Sequence, residues 1–179
     1  MLPLRKVEIR RLFEQAAKDF PPQAEVAFLL QSLDDPRNVG SMFRIADAMG
    51  ARELVFTGKT PTPPDDEIDR TSRGHDRRVS WRRIADTHEA VATLKAEGYQ
   101  VVALETARGT QPFFEFAWSD RVCLVLGNET NGVYAGTLGQ CDGAVFVPMY
   151  GKGPSMNVHV AAALVAYQVI LHGGAGDSR

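Results

Sequence analysis

The sequence predicts a single α/β domain built on a mostly parallel sheet with helices on both faces. Short apolar runs typical of buried strands alternate along the chain with stretches whose apolar residues recur at helical spacing. Parallel strands need crossover connections, and the helices in those connections cover both faces of the sheet. With 179 residues, the chain is long enough to bury most of its apolar surface in one core, so no second domain is required.

Each element follows from a local pattern. Residues 4–20 are amphipathic at helical spacing, and the two prolines that follow end this helix. Strands are predicted at residues 26–30, 53–57, 100–104, 122–126 and 144–147. Helices are predicted at residues 39–49, 86–97 and 157–171, with a shorter candidate at 131–138. We therefore expect an N-terminal helical extension at residues 1–23 and the α/β domain at residues 24–179.

Composition and charge exclude several classes of protein. Hydrophobic residues make up 44% of the chain and charged residues 23%, which is ordinary for a folded globular protein. The N-terminal segment carries charges throughout, unlike a secretory signal, and the longest apolar run, residues 158–171, is shorter than the roughly 20 residues of a membrane span. The spacing of Cys123 and Cys141 fits neither a disulfide framework nor a metal site. We therefore interpret both cysteines as small buried hydrophobic residues. We expect a cytoplasmic protein with no membrane partner and no metal.

One charged patch departs from the formal net charge of −2. Residues 70–83 carry six arginines against the single Asp76, and they follow a mostly acidic stretch. A solvated loop explains this patch as well as a phosphate-contacting segment in which Trp81 stacks on a base. The six arginines are Arg70, Arg73, Arg77, Arg78, Arg82 and Arg83.

Polar and glycine residues follow the predicted strands. In open parallel sheets, ligands bind beyond the carboxyl ends of the strands. At those positions the chain has the polar run 34–38, the pair Glu105 and Thr106, the turn 127–129, and a glycine-rich turn after Pro148. We expect these segments to lie together at one edge of the sheet and to form the ligand site.

The segment 33–51 is the first that carries chemistry. Its predicted helix has an apolar face, and Arg44 projects almost opposite to that face. Most arginines are exposed on the surface without a specific function. Here, however, Asn38 and Gly40 at the helix entrance supply side-chain and backbone hydrogen-bond donors near the positive end of the helix. This arrangement suits an anion such as phosphate. The apolar face consists of Val39, Met42, Phe43, Ala46 and Met49.

The second segment, residues 122–133, is a buried strand that leads into a polar turn. Gly127 permits a ligand to approach the backbone closely, although a glycine at a strand end is weak support for a site. Glu129 is a candidate site carboxylate, and a simple helix-capping role explains it too.

The third segment, residues 145–170, leads into the last helix. Ser155 or Asn157 would cap this helix, so their polar character needs no catalytic explanation. From residue 158 to residue 171 the helix is apolar nearly all round. One face should therefore pack on the sheet and another on a further surface, such as a second copy of the chain.

In this order and spacing, the three segments resemble the signature motifs of the SpoU (TrmH-like) family of the SPOUT methyltransferases. The first family motif, approximately D-P-x-N-x-G followed by R-x-A-D-A-x-G, is similar to residues 35–40 and 44–50. The second, L-V-L-G-x-E-x-x-G, is similar to residues 124–132. The third, a P-M, glycine, S-L-N-V series, is similar to residues 148–158, with Met156 where the family commonly has leucine.

The resemblance covers the chain from about residue 24 onward and implies both a fold and a reaction. The fold has a C-terminal trefoil knot, an exception to the rule that chains do not thread loops. The reaction moves a methyl group from S-adenosylmethionine to a ribose 2′-hydroxyl in transfer or ribosomal RNA. The resemblance also implies a homodimer, formed through the knot region and the C-terminal helix, whose interface completes the active site.

Two other functions are weighed against this one. A non-catalytic RNA-binding or ribosome-assembly protein could retain the knot and the cofactor pocket, although the polar positions of the family's active site are intact here. A nucleotide-binding enzyme of Rossmann type is disfavoured because the chain lacks both the G-x-G-x-x-G turn and a Walker glycine-lysine loop.

The resemblance also assigns site residues. It places the catalytic group at Asn38, Arg44, Glu129, Ser155 and Asn157. It places the cofactor beside Glu105, Thr106, Leu126, Gly127, Val147, Pro148 and Met156. We expect RNA recognition to fall to the N-terminal helix, the dimer surface and the arginine-rich stretch, which makes its six arginines predicted RNA contacts.

The family's arginine at the position of Arg44 is considered to activate the hydroxyl. A protonated guanidinium has no lone pair with which to accept a proton. We therefore expect Arg44 to anchor the neighbouring phosphate and orient the hydroxyl, while that phosphate or a solvent molecule receives the proton.

Overall fold

The computed structural model describes residues 2–153 and 155–173 and contains a seven-stranded sheet. The strands are β1 (Glu25–Gln31), β2 (Leu54–Thr57), β3 (Trp81–Arg83), β4 (Gln100–Leu104), β5 (Gln111–Pro112), β6 (Arg121–Leu126) and β7 (Gly143–Phe146). They lie in the order β3-β2-β1-β6-β4-β7-β5, and each described pairing of strands is parallel. The predicted α/β class and mostly parallel sheet are confirmed, and the trefoil knot stays a prediction of the resemblance.

Helices cover both faces of the sheet. In chain order the α-helices are α1 (Lys6–Asp19), α2 (Pro36–Met49), α3 (Asp66–Ser72), α4 (Thr87–Ala96), α5 (Ala135–Leu138) and α6 (Val158–His172). Alternate residues of a strand point to opposite faces, so Phe28 and Leu30 of β1 join one core, whereas Ala27 and Leu29 join a second. The first core contains the buried apolar side chains of α2, α3 and α6, and the second contains those of α4.

Helix α2 has the predicted face but begins earlier than predicted. Its five apolar side chains are buried, and Arg44 on the other side is exposed. The helix starts at Pro36 because the Asp35 side chain accepts from the backbone N–H of Arg37 at 2.9 Å and proline suits the first helical turn. At the other end, Gly50 has φ of 62°, the left-handed conformation that glycine adopts without strain.

The sequence patterns did not predict three elements, namely α3, β3 and β5. Helix α3 buries only Ile68 and Ser72, so it lacks an apolar stripe; Asp65 caps it by accepting from two backbone N–H groups. Strands β3 and β5 have three and two residues and no buried run, so pairing with longer strands defines them. The short helix predicted at residues 131–138 is limited to α5, because the chain before it forms a turn closed by Asn128 and Gly132.

Helix α1 is not buried against any part of the chain that the structure describes. None of its residues is buried, and Leu12 and Phe13 are 53% and 66% exposed. After α1, the backbone N–H of Gln23 donates to the carbonyl of Ile170 at 2.7 Å, so the chain enters the sheet beside the end of α6. In the part of the chain that the structure describes, no helix combines the length and the apolar character that crossing a membrane requires.

The two cysteines are free thiols. Cys123 lies fully buried in β6, as predicted, and burial raises its pKa well above the ordinary value. Cys141 is only partly buried, so it departs from the prediction, and burial raises the pKa of its thiol to about 11. Both thiols are therefore protonated at neutral pH, and neither is a ready nucleophile.

Candidate active site

A cleft of about 730 Å³ opens where β4, β6 and β7 end. The segments after these three strands and the start of α6 line it, together with Asn38 from α2. Because parallel strands end at the same edge, polar residues far apart in sequence meet there. The structure thus brings together the strand ends from which the sequence predicts a ligand site.

The Glu129 carboxylate joins two walls of this cleft. It accepts from the backbone N–H groups of Asp34 at 3.0 Å and Asp35 at 3.4 Å. It also accepts from Nδ2 of Asn38 at 2.7 Å. These bonds fix the turn after β6 against the entrance of α2, so Glu129 is not a cap for the segment that follows it.

Asn38 in turn contacts a histidine that sequence reasoning did not select. Its Oδ1 lies 3.1 Å from Nδ1 of His159, in the first turn of α6, and Asn38 is only 8% exposed. Burial and the nearby positive charge of Arg44 lower the pKa of His159 below its ordinary value of 6.5. A single histidine within an apolar helix gives no periodic signal, so only its tertiary contact identifies it.

The turn after β6 is tightly built. The backbones of Asn128 and Gly132 exchange hydrogen bonds of 3.1 and 2.8 Å. A Cβ added at Gly127 would overlap the backbone of Gly132 and Val133, and one added at Gly132, where φ is 64°, would overlap the Glu105 carboxylate. That carboxylate accepts from the backbone N–H of Val133 at 2.7 Å. Glu105 therefore supports the turn as well as lining the cleft.

Most of the site residues that the resemblance assigns meet in the cleft. Of the catalytic set, Asn38, Glu129, Ser155 and Asn157 line it, whereas Arg44 stands outside the lining on the exposed face of α2. Five of the cofactor positions line it too, and they are Glu105, Thr106, Gly127, Val147 and Met156.

Two assigned cofactor positions do not line the cleft. Leu126 is fully buried in the core, and Pro148 lies between two lining residues without contributing to the wall. The cleft is also lined by residues to which the sequence assigned no role, most of them within or next to the matched motifs. They are Leu104, Asn128, Thr130, Asn131, Gly132, Phe146, Met149, Val158 and Ala161.

Residues 25–167 match the model of the SpoU rRNA Methylase family. The chain belongs to this family. The family inferred from the three motifs is thereby confirmed. Because the match extends from the start of β1 into α6, it includes the strands and turns that build the cleft.

Two curated relatives of this SpoU family member are similar over most of its length. It is 35% identical over 147 residues to the 23S rRNA (guanosine(2553)-2'-O)-methyltransferase RlmP of Bacillus subtilis, which covers 82% of this chain and 58% of that protein. It is 31% identical over 159 residues to the tRNA (guanosine(18)-2'-O)-methyltransferase of Thermus thermophilus, with 89% of this chain and 80% of that protein covered. The chain thus spans less than two thirds of RlmP.

Solved structures of the family have the same fold. The SpoU methyltransferase AviRb from Streptomyces viridochromogenes, in complex with AdoMet, matches with a TM-score of 0.74 and 26% identity over 86% of this chain and 62% of that one. An AdoMet-bound rRNA methyltransferase from Sinorhizobium meliloti matches with a TM-score of 0.76 and 28% identity over 83% of this chain and 56% of that one.

The arginine-rich stretch of this SpoU family member packs beside α2. A Cβ at Gly40 would crowd Thr71 of α3, and Oδ2 of Asp47 lies 2.8 Å from Nδ1 of His75. Residues 40, 44 and 47 share one side of a helix, so Arg44 stands between these two contacts. The arginine-rich stretch and Arg44 therefore border the same surface.

Two of the six arginines are held by contacts within the chain. The Arg82 guanidinium donates to both carboxylate oxygens of Glu97, at 2.8 and 2.6 Å, and reaches Glu53 at 2.9 Å. These groups lie where β2 and β4 begin, which is the edge opposite the cleft. Arg83 donates to the carbonyls of Thr60 and Gly58, at 2.9 and 2.6 Å. Both side chains already serve the fold.

The other four arginines are exposed. Arg70 and Arg77 pair with carboxylates of α3 in solvent-exposed geometry, where ion pairs contribute little and exchange readily. Arg73, which ends α3, and Arg78 form no salt bridge with another residue that the structure describes. The free cationic surface of the stretch thus centres on these two residues.

Proposed function

We propose that this chain transfers a methyl group from S-adenosylmethionine to a ribose 2′-hydroxyl of transfer or ribosomal RNA, in the cytoplasm. The observation that carries the proposal is the Glu129 carboxylate, which holds Asn38 and the entrance of α2 against the turn that lines the cleft. This arrangement sets a cleft for the methyl donor beside an exposed arginine. Support also comes from RlmP and the Thermus enzyme, which are named 2'-O-methyltransferases, and from AviRb in complex with AdoMet.

The cleft suits an adenosine-bearing methyl donor. Its walls combine apolar side chains, such as Leu104 and Phe146, with the polar groups of Thr106 and Asn131. Apolar surface on which a base can pack, together with polar groups that fix its orientation, is what a nucleoside ligand requires. Gly127, Val147 and Met156 would hold the donor through their backbone groups, and the donor would supply an electrophilic methyl group on a sulfonium. Leu126 and Pro148 are not needed for this role.

Arg44 would act on the RNA rather than on the methyl donor. Its side chain is exposed on α2 and forms no salt bridge with another described residue, so its guanidinium is free to bind the phosphate next to the target ribose. Asn38, Ser155 and Asn157 would border the ribose at the mouth of the cleft. Holding the hydroxyl in line with the methyl group supplies much of the rate.

The decisive experiment is transfer of label from methyl-labelled S-adenosylmethionine into bulk cellular RNA, followed by digestion to nucleosides. We expect label in a 2′-O-methylated nucleoside of transfer or ribosomal RNA. If no RNA fraction accepts label while calorimetry still detects binding of the methyl donor, the chain is an RNA-binding or assembly protein that has kept the pocket.

We further propose that residues 1–23 form a helical extension outside the α/β domain, which comprises residues 24–179. We also propose that two copies of the chain associate through α6. Support comes from an apolar stripe on α6 that the single chain leaves exposed. Its members recur at helical spacing, so they share one face. They are Val160, Leu164, Tyr167 and Leu171.

A Leu164→Asp substitution should convert the dimer to a monomer. A carboxylate in the centre of an apolar interface would lose its water without gaining a partner, and this cost exceeds what the remaining stripe contributes. Light scattering coupled to size exclusion measures the mass directly. Leu12→Asp on α1, where the leucine is similarly exposed, is the matched control and should leave the mass unchanged. A dimeric Leu164→Asp protein would reject this interface.

Removing Arg73 and Arg78 together should weaken RNA binding and its dependence on salt. Each phosphate contact releases counterions, so the slope of log K against log salt should fall by about 0.7 to 0.9 per arginine lost. Filter binding between low and moderate salt measures this slope. Arg52→Ala, an exposed arginine at the opposite edge of the sheet, should leave it unchanged. An unaltered slope in the double variant would remove these arginines from the RNA surface.

A further inference from the structure

The orientation of the Asn38 amide is fixed by its two partners. The Glu129 carboxylate only accepts hydrogen bonds, so the partner 2.7 Å away must be the NH2 group of Asn38. The other end of the amide, Oδ1, therefore faces Nδ1 of His159 at 3.1 Å. Since Oδ1 only accepts, Nδ1 of His159 must carry the proton of this hydrogen bond.

This bond determines which nitrogen of His159 is basic. A neutral imidazole with its proton on Nδ1 has a lone pair on Nε2. Burial, followed by the charge of Arg44, lowers the pKa of His159, so the neutral form prevails at neutral pH. The hydrogen-bonded series Glu129, Asn38, His159 thus orients the imidazole, and Nε2 has no hydrogen-bond partner among the residues that the structure describes.

His159 lies beside the cleft, next to the lining residue Asn38, but is not itself among the described residues that line the cleft. Asn157 caps α6 by accepting from the backbone N–H of His159 at 3.2 Å, and Asn157, Val158 and Ala161 all line the cleft. Arg44 lies near enough for its charge to act on the imidazole. A ribose held between an Arg44-bound phosphate and a methyl donor in the cleft would bring its hydroxyl to the side of the cleft where Asn38 and His159 lie.

We propose that His159 is the catalytic residue that accepts the proton of the ribose 2′-hydroxyl at Nε2. This inference rests on the proposed function and names the proton acceptor that neither Arg44 nor Glu129 can supply. Arg44 lacks a lone pair, and the Glu129 carboxylate is engaged by Asn38 and two backbone N–H groups.

The step balances without a further reactant. The O–H bond breaks and its proton passes to Nε2, while the oxygen forms a bond to the methyl carbon. The carbon–sulfur bond breaks and its electron pair stays on sulfur, which loses its positive charge. His159 becomes an imidazolium whose charge is offset by Glu129 through Asn38, and the repulsion of Arg44 favours release of the proton to solvent.

The first test needs no methyl donor and no RNA. Long-range ¹H–¹⁵N NMR spectra of histidine-labelled, ligand-free protein report the tautomer and the pKa of each imidazole, and His159→Gln identifies the signal. We expect the Nδ1–H tautomer and a pKa below 6.5. An Nε2–H tautomer, or a pKa above the ordinary value, overturns the proposal even in a protein whose activity is intact.

The second test is the pH profile of kcat. The charged groups that face His159 are Arg44 from α2 and, through Asn38, Glu129 from the turn after β6; its own helix contributes the uncharged Asn157. In the wild type, kcat should fall as the pH drops below the His159 pKa, because the protonated imidazole cannot accept a proton.

His159→Gln should lower kcat by about 10² to 10⁴-fold, abolish this acidic limb and leave the KM values for RNA and donor nearly unchanged. His88→Gln, at an exposed histidine of α4, is the control and should keep the wild-type profile. Retention of the acidic limb in His159→Gln overturns the proposal.

A third variant tests whether His159 accepts the proton itself or only positions other groups. His159→Ala leaves a space into which free imidazole fits, and alanine suits the first turn of a helix. Added imidazole should raise the kcat of His159→Ala at least tenfold and should leave the kcat of Arg44→Ala unchanged. No rescue, with donor binding intact by calorimetry, assigns His159 a positioning role and overturns the proposal.

If the wild type labels no RNA, the proposed function fails, while the NMR result still decides the tautomer.

Discussion

An Arg44→Ala protein should fold and bind the methyl donor normally yet lose about 10² to 10³-fold in kcat/KM for RNA. Arg44 is exposed on the side of α2 that faces away from the core, so its removal leaves no cavity and no unpaired partner among the described residues. It also stands outside the lining of the cleft, so donor binding is spared. Under the proposed function, the variant would lose a bidentate contact to the phosphate, and this contact would position the ribose hydroxyl. Initial rates of label transfer, with calorimetry of donor binding, measure both quantities.

Arg44→Lys makes this prediction sharper. Lysine keeps the charge but not the planar fork, so its activity should lie between those of the wild type and Arg44→Ala. Arg52→Ala, at the opposite edge of the sheet, should be fully active. Full activity of Arg44→Ala would exclude both phosphate anchoring and hydroxyl activation by this residue.

A Gly127→Ala protein should bind the methyl donor more weakly than the wild type. The added Cβ would overlap the backbone of Gly132 and Val133, and backbone cannot turn aside as a flexible side chain can. The turn must therefore move, which breaks the paired bonds between Asn128 and Gly132. We expect the free energy of unfolding to fall by about 1–3 kcal/mol, as overpacking generally causes. Donor affinity should fall by tenfold or more, since a loss of about 1.4 kcal/mol in binding free energy corresponds to a factor of ten in the dissociation constant.

Urea denaturation and calorimetry of donor binding test the two parts of this prediction separately. Gly139→Ala is the control, because a Cβ there makes only ordinary contacts of 3.6 Å and longer and the backbone φ is −66°. A Gly127→Ala protein that binds the donor with wild-type affinity would place the donor away from the turn after β6.

The six arginines show where local sequence stops being informative. Within residues 70–83 their charges are equivalent, and nothing nearby separates Arg82 from Arg78. The separation comes from Glu97 and Glu53, which the sheet brings to Arg82 at the edge away from the cleft. The same limit applies to β3, whose pairing with β2 defines a strand of only three residues.

The sequence by itself determined the structural features that depend on residues close together in the chain. The alternation of strands and helices, the apolar face of α2 and the exposure of Arg44 all follow from side-chain period, because that period decides which side of an element can be buried. Only the tertiary structure decided the hydrogen bonds of the site. Asn38 meets Glu129 across 91 positions and His159 across 121, and bonds between such distant residues leave no periodic trace. The orientation of the His159 imidazole is therefore a product of the folded sheet edge, where the separate segments meet.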